Sequence, residues 1–187
     1  MKNIIGLKKV FLILLLVSPF VCQADDLSNE EKEAIVRKIY KDVFHAKGVA
    51  KDAPALRFDT DEEKASHIAY MKKDTDGLPF IGFESKAFDV CSEFGARRND
   101  AIAFLLGHEI THHLENHHWG EEFRSSYSLG ALEKEIKIAD LSNAKRFETQ
   151  ADEKGGILCY MAGYSIQGIG PVLLEKLYKA YGLKDGP

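Results

Sequence analysis

Residues 107–112, which read Gly-His-Glu-Ile-Thr-His, constrain this chain more than any other segment. Histidines four residues apart on a helix project from the same face about one turn apart, so both imidazoles can reach a single ion. Zinc suits neutral imidazole nitrogens, and a glutamate beside the first ligand can take a proton from a zinc-bound water. The segment therefore predicts a helix with His108 and His112 as metal ligands and Glu109 as general base.

A catalytic zinc site normally has three protein ligands and one open position, so a third ligand is required. His118 lies ten residues beyond His108, which is the spacing of the metzincin pattern. That pattern has a glycine at the sharp turn between them, and this chain has Glu115, a good helix former. The other candidate is Glu148, in the segment Phe-Glu-Thr-Gln-Ala-Asp at 147–152, and it is the one we favour.

Glu148 and Asp152 are four residues apart on a predicted helix, so they share a face. Gly155, with Gly156 beside it, continues that face toward Cys159. A glycine inside a helix costs roughly 1 kcal/mol relative to alanine, so a pair of them suggests that another backbone comes very close. Such an approach would press Glu148 against the histidine helix. Asp152 would then accept the free N–H of a ligand histidine and fix its tautomer.

The motif H-E-x-x-H followed by E-x-x-A-D resembles the gluzincin zinc metallopeptidases of the HtpX and CAAX-prenyl-protease family, over roughly residues 99–165. The resemblance implies that His108, His112 and Glu148 bind one zinc ion. It also implies that Glu109 is the general base and that Asp152 binds no metal itself but supports one of the metal ligands. A zincin-like fold and a protein or peptide substrate follow as further expectations, by similarity to the soluble, exported members of that family.

The chain departs from this family beyond the second motif. The family's enzymes usually carry a further histidine or arginine there, which assists the transition-state oxyanion, and this chain has neither residue type after Met161. Either another residue assists, or the chain is the amino-terminal part of something longer. The candidates for this assisting residue are Arg146, His113, Tyr160 and Tyr164.

The first 24 residues have the pattern of a secretory signal. Lysines precede a 12-residue apolar stretch at 10–21, and small residues precede a cleavage site after Ala24. We therefore expect residues 25–187 to form a single domain, exported to a bacterial periplasm or secreted, with no stable membrane insertion after signal removal. A net charge of −4 argues against a nucleic-acid partner, because phosphate binding favours a basic surface.

Two groups of reactive side chains have several interpretations. Signal removal leaves Cys91 and Cys159, and two cysteines in an exported protein suggest one disulfide, with two buried free thiols as the alternative. Five of the seven histidines lie within residues 108–118. Apart from the predicted ligands, we interpret these as exposed histidines at a helix end, with a second metal site as the alternative.

Hydrophobic periodicity predicts an α+β fold, in which the H-E-x-x-H helix and the E-x-x-A-D helix pack beside a small mixed sheet. The predicted helices run from a Ser28–Glu31 capping box to about Ala46, from Asn99 or Asp100 to about His117, from Ser142 or Asn143 to about Met161, and from Pro171 to Gly182. Short apolar or alternating runs predict strands at 55–58, 68–71 and 79–83, while residues 84–98 are ambiguous. We expect the edge of this sheet to hold an extended peptide by β-augmentation.

These features together indicate an exported zinc metalloendopeptidase with one zinc ion per chain. Two alternatives stay open. One is a periplasmic protein that binds or buffers metal through the histidine cluster without catalysis. The other is a metzincin-like protease with His118 as the third ligand.

Overall fold

The computed structural model of the chain describes residues 27–46, 48, 53–61, 63, 65–117 and 133–183. The elements in chain order are α1 (Asn29–His45), β1 (Ala55–Asp59), β2 (Ala69–Lys73), β3 (Pro79–Glu84), α2 (Ser85–Ser92), a 3-10 turn (Gly95–Arg97), α3 (Arg98–Leu114), α4 (Glu133–Met161) and α5 (Ile169–Tyr181). The predicted α+β class is therefore confirmed. The predicted signal, residues 1–24, lies outside the described residues.

Helix α1 begins at the predicted capping box. The Ser28 Oγ accepts the N–H of Glu31 at 3.3 Å, and the Glu31 carboxylate accepts the N–H of Ser28 at 2.8 Å. Each bond satisfies a backbone donor that the first turn of a helix leaves without an intrahelical partner. The buried face of α1, which packs on α3, consists of Val36, Ile39, Tyr40, Val43 and Phe44.

The sheet contains all three predicted strands, with boundaries shifted by one or two residues. Strand β3 lies in the centre and pairs parallel with β1 and antiparallel with β2, so the sheet is mixed, as predicted. Ile81 and Phe83 on β3 are fully buried and attach the sheet to the helices. Strand β2 forms one edge of this sheet and contacts α3. The ambiguous stretch forms α2 and the 3-10 turn.

Helix α3 is shorter at its C-terminal end than predicted. It ends at Leu114 instead of continuing to His117, because Asn116 adopts a left-handed conformation with φ +55°. The N–H of His117 then donates to the carbonyl of His112 at 2.9 Å, and the N–H of Asn116 donates to that of His113 at 3.3 Å. These two bonds form a Schellman motif, in which asparagine is an accepted substitute for glycine. The motif turns His117 back toward the helix.

Three predicted helix starts were wrong in detail. Helix α3 begins at Arg98, and Asp100 instead accepts the N–H of Ser165 at 3.0 Å. Ser142 and Asn143 do not cap a helix, because α4 runs without interruption from Glu133. Pro171 is the third residue of α5, which follows a left-handed Gly168. The predicted end of that helix at Gly182, with φ +62°, is confirmed.

Cys91 and Cys159 are both free and buried, so the structure contradicts the predicted disulfide. Cys91 lies on α2 and Cys159 on α4, and each packs into the core. The Cys159 thiol donates to the carbonyl of Ala103 at 3.0 Å instead of bonding to sulfur. Burial raises the pKa of Cys159 to about 12, which keeps it a thiol at neutral pH.

None of the helices in the described ranges combines the length and the apolar character that crossing a bilayer requires.

Candidate metal centre

Helix α3 places the two predicted ligand histidines side by side. The Nε2 atoms of His108 and His112 lie 3.0 Å apart, with ring centroids 4.7 Å apart. The separation of four residues along the helix produces this arrangement, because such residues stack one turn above each other. Most of α3 between Ala101 and Gly107 is buried, so the histidine pair is held on a fixed support.

Helix α4 brings Glu148 to the same point. Its Oε2 lies 3.1 Å from the Nε2 of His108, and its Oε1 lies 3.6 Å from the Nε2 of His112. His108, His112 and Glu148 thus form a group whose ligand atoms all lie within 4.8 Å of one another and that could hold a metal ion. The side chain of Glu148 remains 56% exposed, so solvent reaches one side of this group in the described residues.

Two glycines allow the helices to approach this closely. A Cβ added to Gly155 on α4 would come within 2.7 Å of the carbonyl group of Gly107 on α3. A Cβ on Gly107 would come within 2.6 Å of the Cys159 sulfur and 2.8 Å of the Gly155 carbonyl oxygen. The predicted close approach of backbones is therefore present, and it lies next to His108. Gly156 faces the side chain of Ile166 and takes no part.

The spacing of the three ligand atoms suits a small tetrahedral ion. Two ligands that are each ~2.0–2.1 Å from zinc in a tetrahedron lie roughly 3.3 Å apart. The three pairs in this structure are separated by 3.0, 3.1 and 3.6 Å. Two imidazole nitrogens and one carboxylate also form a donor set of the type found in catalytic zinc sites, which leave a fourth position open.

Asp152 supports His108 from behind, as the sequence predicts. Its Oδ1 lies 2.8 Å from the Nδ1 of His108, the ring nitrogen that faces away from Glu148. When the His108 ring is neutral, its remaining proton on Nδ1 is donated to this carboxylate, and the lone pair of Nε2 is then free for a metal.

His117 supports His112 in the same way, and the sequence analysis missed this contact. The Nδ1 of His117 lies 3.1 Å from the Nδ1 of His112, and its Nε2 lies 3.3 Å from the Oε1 of Gln150. His117 is 4% exposed, and its ring lies against that of Phe147 on α4, with 4.2 Å between the centroids and a tilt of 35° between the planes. Asn116, a residue that tolerates the left-handed conformation, was the signal that could have revealed this turn.

Glu109 lies beside the ligand group and at the edge of the sheet. Its carboxylate accepts the N–H of Met71 on β2, and it interacts electrostatically with His108 and Glu148. Burial raises the pKa of Glu109 to about 7, and the negative charge of Glu148 adds to this effect, while the charge of His108 opposes it. A carboxyl group with a pKa near neutrality can both accept and return a proton.

The two histidines differ in protonation. Burial opposes the charge on His108, but hydrogen bonds to Asp152 and Glu148 and the charge of Glu109 together raise its pKa to about 10. Burial and the neighbouring positive charge of His108 lower the pKa of His112 to about 4. Burial also opposes ionisation of Glu148, yet its hydrogen bond with His108 keeps the pKa of that carboxyl below its usual range.

The remaining histidines of the cluster are not exposed, where they are described. His113 is 8% exposed and lies near the ring of Phe44, at 6.4 Å between centroids, and His117 is buried against α4. The interpretation as exposed helix-end residues is therefore wrong for both. His118, the rival third ligand, lies outside the described residues.

Within the described residues, two of the four side chains considered for assisting the oxyanion, Tyr164 and Tyr160, form no hydrogen bond with the ligand group. The hydroxyl of Tyr164 donates to Asp42 on α1 at 2.9 Å, and Tyr160 is 80% exposed. Arg146 lies on α4 two residues before Glu148, with its guanidinium 5.1 Å from the ring centre of Phe147. His113, the fourth candidate, directly follows His112 in the sequence and is buried.

Comparison of the chain with protein-family models, with curated proteins and with solved structures gave no significant match.

Proposed function

We propose that this protein is an exported zinc metalloendopeptidase with a zincin-like arrangement of its two metal-binding helices. The observation that carries the proposal is the convergence of Glu148 with His108 and His112, beside a half-buried Glu109. Acidic and histidine side chains on separate elements meet at one point, and the glycine pair permits the approach. Export is proposed from the signal pattern of residues 1–24.

His108, His112 and Glu148 would hold the zinc ion. When bound, zinc supplies Lewis-acid chemistry, because it polarises a carbonyl and lowers the pKa of water. Asp152 orients His108 by accepting the proton of its Nδ1. The donor set and the spacing of the ligand atoms support zinc over magnesium or calcium, which favour oxygen ligands and higher coordination numbers.

Glu109 acts as general base in this proposal. It takes a proton from the attacking water and then returns it to the amine that leaves when the peptide bond breaks. Its raised pKa suits both steps, because the carboxyl group exchanges a proton near neutral pH. The backbone of Met71 on β2 also interacts with this carboxyl group, which tends to lower its pKa against the effect of burial.

Strand β2 provides a place for an extended peptide substrate. Ile68 and Glu84 lie opposite each other as a hydrogen-bonded pair of the antiparallel ladder between β2 and β3. The N–H of Glu84 donates to the carbonyl of Ile68 at 3.0 Å. Because such pairs alternate along an antiparallel ladder, the backbone groups of Ala69, Met71 and Lys73 point away from β3. The Met71 N–H reaches Glu109 in this outward direction. A peptide added along this edge would therefore lie beside the general base, which favours an endopeptidase.

The test is the substitution Glu109→Gln in the full-length chain, with Glu153→Gln as its matched control. Glu153 is exposed on α4 and forms no part of the ligand group. We expect Glu109→Gln to retain zinc and to lose hydrolysis of a peptide library, followed by mass spectrometry. Glu153→Gln should keep both. Zinc binding without hydrolysis in the wild-type chain would instead support a metal-buffering protein and reject the peptidase proposal.

A further inference from the structure

His117, Gln150 and Glu115 form a chain of polar contacts that ends at one of the proposed ligands. The Nδ1 of His117 contacts the Nδ1 of His112 at 3.1 Å, and its Nε2 contacts the Gln150 carboxamide oxygen at 3.3 Å. The Gln150 amide nitrogen donates to Glu115 at 3.4 Å, and Lys154 pairs with the same carboxylate oxygen at 2.6 Å. The chain therefore joins the end of α3 to α4.

Glu115 determines the direction of every bond in this chain. An ionised carboxylate only accepts hydrogen bonds, so Gln150 must present its NH₂ group to Glu115 and its oxygen to His117. That oxygen requires a proton on the Nε2 of His117. In a neutral ring the Nδ1 of His117 is then an acceptor, and it receives the Nδ1 proton of His112.

The contact between His117 and His112 leaves the Nε2 of His112 available for the metal. With the proton on Nδ1, the lone pair of Nε2 points at the Nε2 of His108, 3.0 Å away, and at Glu148, 3.6 Å away. His108 reaches the same tautomer through Asp152. The two ligands thus have different supports, a carboxylate for His108 and a neutral imidazole for His112.

We propose that His117 is a positioning residue for the metal centre, which holds His112 in the Nδ1–H tautomer through a chain anchored at Glu115. This inference rests on the metal site proposed above. The Schellman turn at Asn116 delivers the ring to this place, and its contact with Phe147 fixes the ring plane. Outer contacts of this kind typically change metal affinity by about 10- to 100-fold when they are removed.

The test compares His117→Leu with His117→Asn in the full-length chain. Leucine removes the acceptor, whereas the asparagine oxygen occupies nearly the place of the histidine Nδ1 and restores it. We expect His117→Leu to weaken zinc binding by about 10- to 100-fold in chelator competition. We expect His117→Asn to recover most of that loss, and only His117→Leu to shift the visible spectrum of the cobalt-substituted protein.

A second pair of variants decides the matter where His117→Leu fails to fold. Gln150→Leu removes the acceptor for the His117 Nε2 proton, and Thr149→Ala changes an exposed neighbour on the same helix. We expect weaker zinc binding in the first variant only. Equal affinities in the two variants, or equal losses in His117→Leu and His117→Asn, would overturn the inference.

The variant His108→Ala, compared with the wild-type chain, separates failure of this inference from failure of the proposed function. His108→Ala must abolish the zinc binding that the wild-type chain shows, or the metal centre itself is wrong. If His108→Ala does abolish it while folded His117→Leu binds as tightly as wild type, only the role of His117 is rejected.

Discussion

The backbone of Gly155 lies directly against the backbone of Gly107, so that a Cβ on Gly155 would come within 2.7 Å of the Gly107 carbonyl group. This contact joins the two helices that carry the proposed ligands, one residue from His108 on α3 and seven residues from Glu148 on α4. The geometry of the metal centre therefore depends on the absence of two side chains.

Gly155→Ala should weaken zinc binding and destabilise the fold. The added methyl group meets backbone atoms, which cannot move aside as a side chain can, and overpacking of this kind costs about 1–3 kcal/mol. The gain in helix propensity, about 1 kcal/mol, offsets only part of this cost. Thermal unfolding and chelator competition measure the two effects.

Gly156→Ala is the matched control, because its new Cβ meets only the flexible end of Ile166, at 3.1 Å. This variant should be neutral or stabilised by up to about 1 kcal/mol. Equal behaviour of the two alanine variants would show that the glycine contact does not set the helix separation.

Asp152→Ala should reduce zinc affinity by about 10- to 100-fold, because His108 loses the acceptor that fixes its tautomer. Asp152→Asn keeps an oxygen acceptor without the charge, so we expect an intermediate loss. The measurement is zinc competition with a chromophoric chelator, and Glu153→Ala on the same helix is the control. An affinity unchanged in Asp152→Ala would remove this residue from the site.

Zinc binding should release at least one proton per ion at pH 6. His108 has a pKa of about 10, so it is protonated at this pH, and the metal must displace that proton. His112, with a pKa of about 4, is already neutral. Because protons compete with the metal below the pKa of His108, the apparent zinc affinity rises with pH, by about tenfold per unit for one proton.

Calorimetry in buffers with different protonation enthalpies counts the released protons. Asp152→Ala is an informative variant here, since it removes a contact that raises the pKa of His108. Zinc binding with no proton release and no dependence on pH would contradict the charge arrangement of the site.

Cys91 and Cys159 should both react as free thiols after unfolding without a reductant. Both are buried in the folded protein, so alkylation there should be slow, and burial raises the pKa of each thiol. Mass spectrometry of alkylated peptides assigns the reaction to each residue. A linked pair of peptides from these two cysteines would restore the disulfide interpretation.

The sequence was sufficient for the ligand group because two simple spacings determine it. Four residues separate His108 from His112 and Glu148 from Asp152, so each pair shares a helix face. Gly155, a glycine inside a helix, predicted the close approach of the two helix backbones. These are local properties, which periodicity and composition report well.

The features that the sequence did not predict correctly depend on tertiary contacts, because the local sequence is compatible with more than one backbone conformation or pairing. Asn116 tolerates both helical and left-handed backbone, and only the Schellman turn brings His117 onto His112. Ser142 and Asn143 favour helix starts, yet α4 continues through them. The two cysteines that remain after the predicted signal removal suggested a disulfide, whereas Cys159 donates to a backbone carbonyl inside the core.

The central claim is that Glu148 completes a zinc site with His108 and His112, and one comparison of zinc affinities tests it most directly. Glu148→Ala, Glu153→Ala and His118→Ala are prepared in the full-length chain, and their dissociation constants are measured by competition with a chelator of known affinity. The account predicts that Glu148→Ala binds zinc with at least tenfold lower affinity than the wild-type chain, while the other two variants retain the wild-type affinity. Full affinity in Glu148→Ala, together with a loss in His118→Ala, would contradict it.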